Sequence, residues 1–192
     1  LQFRFYIFSM DFNNLYSEYE EKINSLGLNA SEHLLLASID RQHIHHLQMG
    51  KLVKGYKMSS SKRPPSCIEN SLGTPWGLHN ICEKIGEGCE IGTVFEGRVS
   101  IGLKAEECTE EIQNRNLITS RILRLEGLEQ GVNRGGEVDT FRRYVYIHGT
   151  NHEQQIGIPA SSGCLQMENQ SVIELFDLVN IGTHLYIQSG FD

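Results

Sequence analysis

The sequence lacks the two features that would indicate a membrane-spanning or a nucleic-acid-binding protein. None of its 192 residues lies in an apolar stretch of the roughly 20 positions that a transmembrane helix needs. No long basic run is present, and the formal net charge is −7, so nucleic-acid binding has no electrostatic basis. The apolar fraction is that of an ordinary globular protein, and the length suits one domain with or without an appendage.

An export signal is also missing from the start of the sequence. Residues 1–10, LQFRFYIFSM, are too short and too interrupted by Gln2 and Arg4 to form the apolar core of a signal peptide. Met10 is a candidate natural start, which would make residues 1–9 an upstream extension. The N-terminus of the native protein tests this hypothesis.

The sequence has no spacing that is typical of a metal site. The five cysteines do not form finger-type ligand pairs, and His43, His45 and His46 come without a further ligand. We therefore predict no metal and interpret these histidines as partly exposed strand residues. Because five is an odd number, at least one thiol stays free or pairs between chains in an oxidising compartment. The pairing of Cys82 and Cys89, which flank a short acidic loop, stays open.

Residues 11–26 predict an amphipathic helix near the start of the chain. Apolar side chains recur there at helical spacing, with acidic residues on the opposite side. We expect Asn13 or Asn14 to cap this helix and Gly27 to end it. Its expected role is to pack on the side of the domain, and partner binding is the alternative. The apolar stripe consists of Phe12, Leu15, Tyr19, Ile23 and Leu26.

From Glu32 onward the sequence predicts a mainly β domain. Short apolar or alternating segments bounded by turn residues indicate strands, and residues 83–116, rich in Gly and Glu, are interpreted as an inserted hairpin or lid. After the last cysteine, helical spacing predicts a helix that Asn169 caps and Gly182 ends. The expected strands lie at 33–40, on both sides of a hairpin turn at 49–51, and at 118–125, 144–148 and 184–187.

The stretch 144–167, YVYIHGTNHEQQIGIPASSGCLQM, contains the strongest functional signal. Alternating apolar residues predict a strand that ends at His148, where Gly149 allows the backbone to turn. Residues 157–163 predict an ordered loop that can bring Cys164 back toward His148. A thiol beside an imidazole is the minimum for a cysteine nucleophile, because the base or its charged form lowers the thiol pKa. A lone pair of this kind is more often inert packing, so the neighbouring residues decide.

Those neighbours resemble the signature of the L,D-transpeptidase catalytic domain, also called the YkuD domain. His-Gly-Thr-Asn at 148–151, then Ile-Gly, then Ser-x-Gly-Cys-Leu-x-Met at 161–167 follow the order and separation of that family. The resemblance covers roughly residues 32–188, so we expect an N-terminal extension at 1–31 and the catalytic domain at 32–189. It implies a β-sandwich with a helix after the catalytic cysteine, to which this chain adds the N-terminal helix.

The resemblance implies acyl transfer through a thioester on Cys164, with no metal or organic cofactor. His148 is then the general base and acid, and the backbone carbonyl of Gly149 orients its ring. The N–H groups of Gly163 and Cys164 are the expected oxyanion donors. The implied partners are donor and acceptor stem peptides of peptidoglycan and, as inhibitors, carbapenems. Substrate contacts are expected from Trp76, Tyr146, Thr150, Ser161, Ser162 and Gln166. For Trp76 a place in the core is the alternative.

Two positions depart from the family pattern. Ser162 stands where many members have a second histidine, and Gln166 stands where an arginine or asparagine usually follows the nucleophile. Glutamine keeps hydrogen-bonding ability but lacks the positive charge that would recognise a carboxylate. Four arginines could supply that charge, although each is interpreted as a solvated or salt-bridged surface residue. They are Arg121, Arg124, Arg142 and Arg143.

The leading hypothesis is an L,D-transpeptidase that crosslinks peptidoglycan or attaches an amine acceptor to it, and so contributes to cell-wall biogenesis and cell shape. A hydrolase of the L,D-carboxypeptidase or amidase type, using the same thioester, is one alternative. A catalytically silent peptidoglycan-binding module is another, which the retention of His148 and Cys164 argues against. The family works outside the cytoplasmic membrane, so we expect a periplasmic or cell-envelope location. The missing export signal leaves a trimmed signal, another export route or a cytoplasmic location as alternatives.

Overall fold

The computed structural model describes residues 2–188, with side chains from residue 12 onward, so the expectation about Met10 and residues 1–9 lies outside the described side chains. The helices are α1 (Gln2–Leu26), α2 (Glu110–Gln113) and α3 (Asn169–Leu178). The strands are β1 (His33–Ser38), β2 (His43–Gln48), β3 (Lys51–Lys57), β4 (Gly77–Ile85), β5 (Thr93–Glu96), β6 (Val99–Lys104), β7 (Ile118–Gly127), β8 (Tyr146–Gly149), β9 (Leu165–Met167) and β10 (His184–Gln188).

The strands of this described part form one mixed sheet. Its order is β3-β2-β1-β10-β4-β7-β5-β6, while β8 pairs with β7 and β9. The β1–β10 and β8–β9 pairs are parallel, and the other pairs are antiparallel. Met49 and Gly50, between β2 and β3, have φ values of 49° and 72°, as a tight hairpin turn of type I′ requires. The hairpin predicted at 49–51 is confirmed.

The sheet closes on itself just after β3. Ser59 forms a bridge to Gln166 in β9, and Ser61 forms a bridge to Ser161. The Ser59 N–H donates to the Gln166 carbonyl at 2.8 Å, and the Gln166 N–H donates to the Ser59 carbonyl at 2.9 Å. This closure brings the serine-rich segment after β3 against the turn that carries Cys164.

The main core lies inside the closed sheet. It consists of buried apolar residues from most of the strands and from α3, which packs on β7 and β8. The buried side chains of α3 are Val172, Leu175 and Phe176. A mainly β fold with a helix after the cysteine turn is therefore confirmed.

Both predicted boundaries of α3 were wrong. The cap residue is Glu168, and the helix ends at Leu178, well before Gly182. Asn169 does not cap the helix because its side chain is used in tertiary hydrogen bonds. Its amide donates to the Thr150 carbonyl at 3.0 Å and its oxygen accepts from the Thr119 hydroxyl at 2.6 Å.

The N-terminal helix is longer than predicted. It begins at Gln2 rather than behind Asn13 or Asn14, because no glycine or proline interrupts residues 2–26 and both asparagines are simply included in it. Its end at Gly27 is as predicted, with a φ of 65° that suits a glycine after a helix. None of the helices in residues 2–188 combines the length and the apolar character that crossing a membrane requires.

Helix α1 packs on the outer face of the sheet. Leu15 and Tyr19 are fully buried there against leucines of β1, β2 and β4. The Tyr19 hydroxyl is 3.0 Å from Nδ1 of His184, and Lys22 pairs with Glu129 at 2.7 Å. The helix is thus part of the folded domain, which agrees with the packing role expected for it.

Replacing Leu15 with alanine tests this packing. Leu15 is fully buried, so we expect Leu15→Ala to lower the free energy of unfolding by about 2–5 kcal/mol through lost burial and a cavity. Leu26→Ala is the control, because Leu26 on the same helix is exposed and should cost less than about 0.5 kcal/mol. Urea unfolding measures both. Equal, small losses would contradict the packing of α1.

The strand histidines are more buried than predicted. The exposed fractions of His45 and His46 are 5% and 1%, whereas His43 is half-buried. The ring of Phe12 from α1 covers His45 at 5.5 Å between centroids. On the other face of the sheet, His46 stacks on His33, with 2.9 Å between their nitrogens. The predicted partial exposure of His45 and His46 was therefore wrong.

The segment at 83–116 contains the predicted hairpin, formed by β5 and β6. Strand β5 also pairs with β7, so the hairpin extends the main sheet. Beyond α2, the Asn116 amide donates to the Ala160 carbonyl at 3.1 Å, and the Leu117 N–H donates to the Asn151 side chain at 3.0 Å. The C-terminal end of the insertion is therefore tied to the domain near the cysteine turn.

Candidate active site

The parallel strands β8 and β9 place His148 and Cys164 on one face of the sheet. His148 is paired with Gln166, and Cys164 lies two residues earlier, where its Sγ accepts the Tyr146 N–H at 3.4 Å. Alternate residues of both strands point into the main core, so His148 and Cys164 point the other way. The residues that point into the core are Val145, Ile147, Leu165 and Met167.

The backbone holds His148 in one tautomer. Its Nδ1 is 2.7 Å from the Gly149 carbonyl, and because a carbonyl only accepts, Nδ1 carries the proton. Burial lowers the pKa of His148 to about 4, which the hydrogen bond to Gly149 opposes. At neutral pH the ring is therefore neutral, with Nε2 free of a proton and able to accept one. The contact predicted between His148 and the Gly149 carbonyl is present.

Cys164 is a neutral thiol in the resting protein. Its Sγ accepts the Tyr146 N–H and lies 3.7 Å from the Tyr144 carbonyl, toward which the S–H points. Burial raises the pKa of the Cys164 thiol to about 11, although the Tyr146 N–H and the charge of Arg143 both act to lower it. The imidazole of His148 is not among the groups that act on the thiol pKa, and both side chains are neutral in the resting protein.

Ser161 holds the cysteine turn together. Its hydroxyl donates to the Cys164 carbonyl at 2.6 Å and accepts the Gly163 N–H at 3.2 Å. Gly163 has a φ of 130°, a conformation that requires glycine. The Gly163 N–H, one of the two predicted oxyanion donors, is thus bonded to Ser161 in this structure. The Cys164 N–H is the other predicted donor.

A cleft of about 300 Å³ opens beside the Cys164 thiol. One wall comes from the cysteine turn, another from the residues that precede β8, and a third from the loop between β3 and β4. The lining residues are Glu69, Asn70, Leu72, Arg142, Arg143, Tyr144, Val145, Ser162, Gly163 and Cys164. The cleft therefore offers space for a substrate at the thiol.

Of the six predicted substrate contacts, only Ser162 lines this cleft. Thr150 and Gln166 are buried and bonded within the protein, Thr150 to the His152 N–H and Gln166 to the Asn116 side chain. Ser161 holds the turn instead.

The two predicted aromatic contacts also lie outside the cleft lining. The Tyr146 hydroxyl accepts from Arg98 at 3.3 Å, and its ring is buried. Trp76 is half-buried, and its carbonyl accepts from the Asn133 amide at 3.0 Å. Neither side chain takes part in the cleft wall.

The four arginines fall into two classes that the sequence did not separate. Arg121 and Arg124 are buried, so their interpretation as solvated surface residues was wrong, although Arg124 does pair with Glu83 at 3.0 Å. Arg142 and Arg143 line the cleft. Of the four arginines, the two that precede β8 thus place positive charge at the cleft.

Sequence reasoning missed the loop between β3 and β4 as part of the site. Arg143 donates to the carbonyls of Ser66 and Gly73 at 2.9 and 2.7 Å, which fastens this loop across the cleft. The adjacent arginines just before the His148 strand were the available signal. No local pattern links them to a loop about 70 residues away in sequence.

The described part of the chain contains no group of three or more His, Cys, Asp or Glu side chains arranged to hold a metal ion. Its five cysteines are free thiols. Cys82 and Cys89, whose pairing the sequence left open, are thus not bridged to each other. The chemistry at Cys164 is therefore considered from the side chains and backbone groups described above.

Comparisons with known proteins agree with this geometry. The family model of the L,D-transpeptidase catalytic domain, YkuD, matches residues 32–187. YqjB of Bacillus subtilis strain 168, named as a candidate L,D-transpeptidase, is 44% identical over 41 residues, which are 21% of this chain and 23% of that protein.

Solved structures show the same fold. An L,D-transpeptidase from Mycobacterium smegmatis superposes with a TM-score of 0.51 at 19% identity, covering 82% of this chain and 58% of that chain. L,D-transpeptidase 3 from Mycobacterium tuberculosis, in complex with a faropenem-derived adduct, superposes with a TM-score of 0.52 at 13% identity, covering 82% and 60%. The chain thus matches about a quarter of the curated relative and about three fifths of these solved chains. Because the family model covers most of its residues and the fold agrees, the protein belongs to the L,D-transpeptidase catalytic-domain (YkuD) family.

Proposed function

We propose that this protein is a cysteine-dependent L,D-transpeptidase that acts on peptidoglycan stem peptides through a thioester on Cys164. The observation that carries the proposal is the arrangement on β8 and β9. A neutral His148, whose Nδ1 is bonded to the Gly149 carbonyl, lies on the same face as a thiol that lines an open cleft. A base, a nucleophile and space for an acyl donor are the minimum that acyl transfer requires.

In the first half of the reaction, Nε2 of His148 takes the proton from the Cys164 thiol as Sγ attacks the donor carbonyl. The carbonyl belongs to the amide between the diamino acid and the terminal D-alanine. The oxyanion that forms needs N–H donors, of which the Cys164 N–H is one candidate. Collapse breaks the C–N bond, the imidazolium returns its proton to the departing amine, and a thioester remains.

In the second half, an amine of an acceptor stem attacks the thioester. His148 takes a proton from this amine, the C–S bond breaks, and Cys164 recovers its proton. A new amide then joins the two stems. If water replaces the amine, the same steps release a tripeptide acid. Whether the amine or water reaches the thioester therefore determines whether transpeptidation or hydrolysis occurs.

Two further points of the proposal follow from the family. Related L,D-transpeptidases were solved in complex with imipenem and with a faropenem-derived adduct, which supports testing carbapenems and penems as acylating inhibitors of Cys164. Because peptidoglycan lies outside the cytoplasmic membrane, we also propose a cell-envelope location. Fractionation of the producing cell, followed by detection with an antibody, tests that location.

The direct test uses the purified protein and a disaccharide-tetrapeptide. We expect intact-protein mass spectrometry to detect an acyl adduct on Cys164, and product analysis to detect dimeric muropeptides. Tripeptide with free D-alanine and no dimers would assign the hydrolase instead. A folded protein that gives neither adduct nor turnover would contradict both catalytic functions for this substrate.

A further inference from the structure

We propose that Arg143 is a specificity-determining residue that binds the carboxylate of the donor's terminal D-amino acid. The inference rests on the proposed function and assigns a role to a residue outside the His148 and Cys164 motifs. It starts from an unusual feature of the cleft, which is a half-buried cation that forms no ion pair with a carboxylate of residues 12–188.

The hydrogen bonds of Arg143 do not neutralise its charge. They run to the carbonyls of Ser66 and Gly73 and, at 3.5 Å, to the Ser71 hydroxyl. Within residues 12–188, no carboxylate forms an ion pair with Arg143 among the salt bridges of the protein. Burial without an ion pair is costly for a cation, and it lowers the pKa of Arg143.

The guanidinium also retains unused donors. Of its five N–H groups, one on Nη1 and both on Nη2 account for the three hydrogen bonds above. The Nε–H and the second Nη1–H are left, and the residue lines the same cleft as Cys164. Its charge acts on the Cys164 thiol, so an anion bound there would lie beside the nucleophile.

The chemistry of the donor requires an anion at this place. In the leaving D-amino acid, the carboxylate carbon is three bonds from the carbonyl carbon that Cys164 attacks, which is a distance of about 4 Å or less. A donor with its scissile carbonyl at Sγ therefore holds its carboxylate inside this cleft. Arg143 matches it in charge and in hydrogen bonding.

The other charged side chains of the cleft do not offer the same match. Arg142 is exposed, so solvent weakens its attraction. Glu69 is an exposed carboxylate of the cleft wall; it repels an anion, and solvent weakens that repulsion. Gln166, at the position where the family usually has a cation or an amide, is buried and bonded to Asn116. Arg143 is thus the half-buried cation available at the nucleophile.

The test compares a tetrapeptide that ends in a free carboxylate with the same peptide ending in a carboxamide. Binding of both is measured by titration calorimetry to Cys164→Ala protein, which cannot form the thioester. We expect the acid to bind roughly 10- to 100-fold more tightly than the amide. In Arg143→Gln on this background, the ratio should fall to about 1–3. In Arg115→Gln, which changes an exposed arginine outside the cleft lining, it should change by less than about threefold.

Each outcome of this experiment is decisive. Because Arg143 also fastens the loop, its replacement can weaken the binding of both peptides. A merely structural role, however, would leave the ratio of acid to amide affinity unchanged. An unchanged ratio would therefore overturn the inference. If Arg143→Gln does not fold, Arg143→Lys keeps the cation and should retain an intermediate ratio, whereas an unchanged ratio would contradict the role. If Cys164→Ala protein with Arg143 intact binds both peptides equally, the inference about Arg143 is overturned, while the proposed substrate is not. No binding of either peptide overturns the proposed substrate as well.

Discussion

Replacement of Cys164 by alanine is expected to abolish acylation and turnover, with a loss of roughly 10⁴-fold or more, as for the removal of a covalent nucleophile. The thiol lines the cleft and lies on the same face of the sheet as His148. The hydroxyl of Ser162, which also lines the cleft, is a weak nucleophile without an activating base. Intact-protein mass spectrometry after incubation with a carbapenem measures the acylation of the protein directly. Parent protein should gain the mass of one inhibitor, and Cys164→Ala should gain none.

Cys89→Ala is the matched control for this experiment. Cys89 packs against the same cluster of Phe95, Ile122 and Tyr146 as Cys164, but it does not line the cleft. We expect its acylation rate to stay within about twofold to threefold of the parent. An adduct that persists in Cys164→Ala, or disappears in Cys89→Ala, would show that the nucleophile has been assigned to the wrong cysteine.

Replacement of His148 by glutamine is expected to slow acylation by roughly 10²- to 10⁴-fold, the usual contribution of a general base. The resting pair is neutral, so the thiol cannot react efficiently without transfer of its proton. In the variant, only the small fraction of thiolate reacts. Its rate should therefore rise about tenfold per pH unit toward the pKa of Cys164, which is about 11. His152→Gln is the control, because His152 follows the strand and does not line the nucleophile cleft.

The parent protein should show a different pH dependence. His148 has its pKa lowered to about 4, so the proton-accepting form is present above that value and is lost as the pH falls through it. The acylation rate should be flat from about pH 5 to 9 and fall only near pH 4. An acidic limb centred near the ordinary histidine value of about 6.5 would contradict the buried neutral imidazole. Circular dichroism at each pH separates loss of activity from unfolding.

The motif that contains His148 and Cys164 was predictable because it consists of short-range patterns. Alternation along β8, the glycines on either side of the nucleophile loop and the Ser-x-Gly-Cys turn are all local patterns. They were sufficient to predict the strand of His148, the turn of Cys164 and the helix after it. The register of β8 with β9 then places His148 and Cys164 on the same face of the sheet.

The wrong predictions of the α3 boundaries and of histidine exposure have one physical cause. Asn169 was expected to cap α3 from its side-chain type, but long-range hydrogen bonds to Thr119 and Thr150 use that side chain. His45 was expected to be partly exposed, but α1 covers it. Propensity describes what a residue can do locally, and tertiary partners decide which of its options is used.

The side chains predicted to contact substrate lie mostly outside the cleft lining for a related reason. Neighbours of the motif were expected to touch substrate, yet Thr150 and Gln166 are buried and bonded within the protein. The cleft is instead completed by the loop that contains Glu69 and is fastened by Arg143. Sequence proximity to a nucleophile does not determine which side chains face its cleft.

The sequence by itself determined the family, the mainly β fold and the identity of the Cys164 and His148 pair, because motif spacing and strand periodicity are properties of contiguous residues. Only the tertiary structure decided the neutral state of that pair, since burial, which shifts both pKa values, depends on what packs around the two side chains. It also decided the composition of the cleft. Closure of the sheet after Ser59 and the bonds of Arg143 join segments far apart in the chain, and contacts of that range leave no local pattern to read.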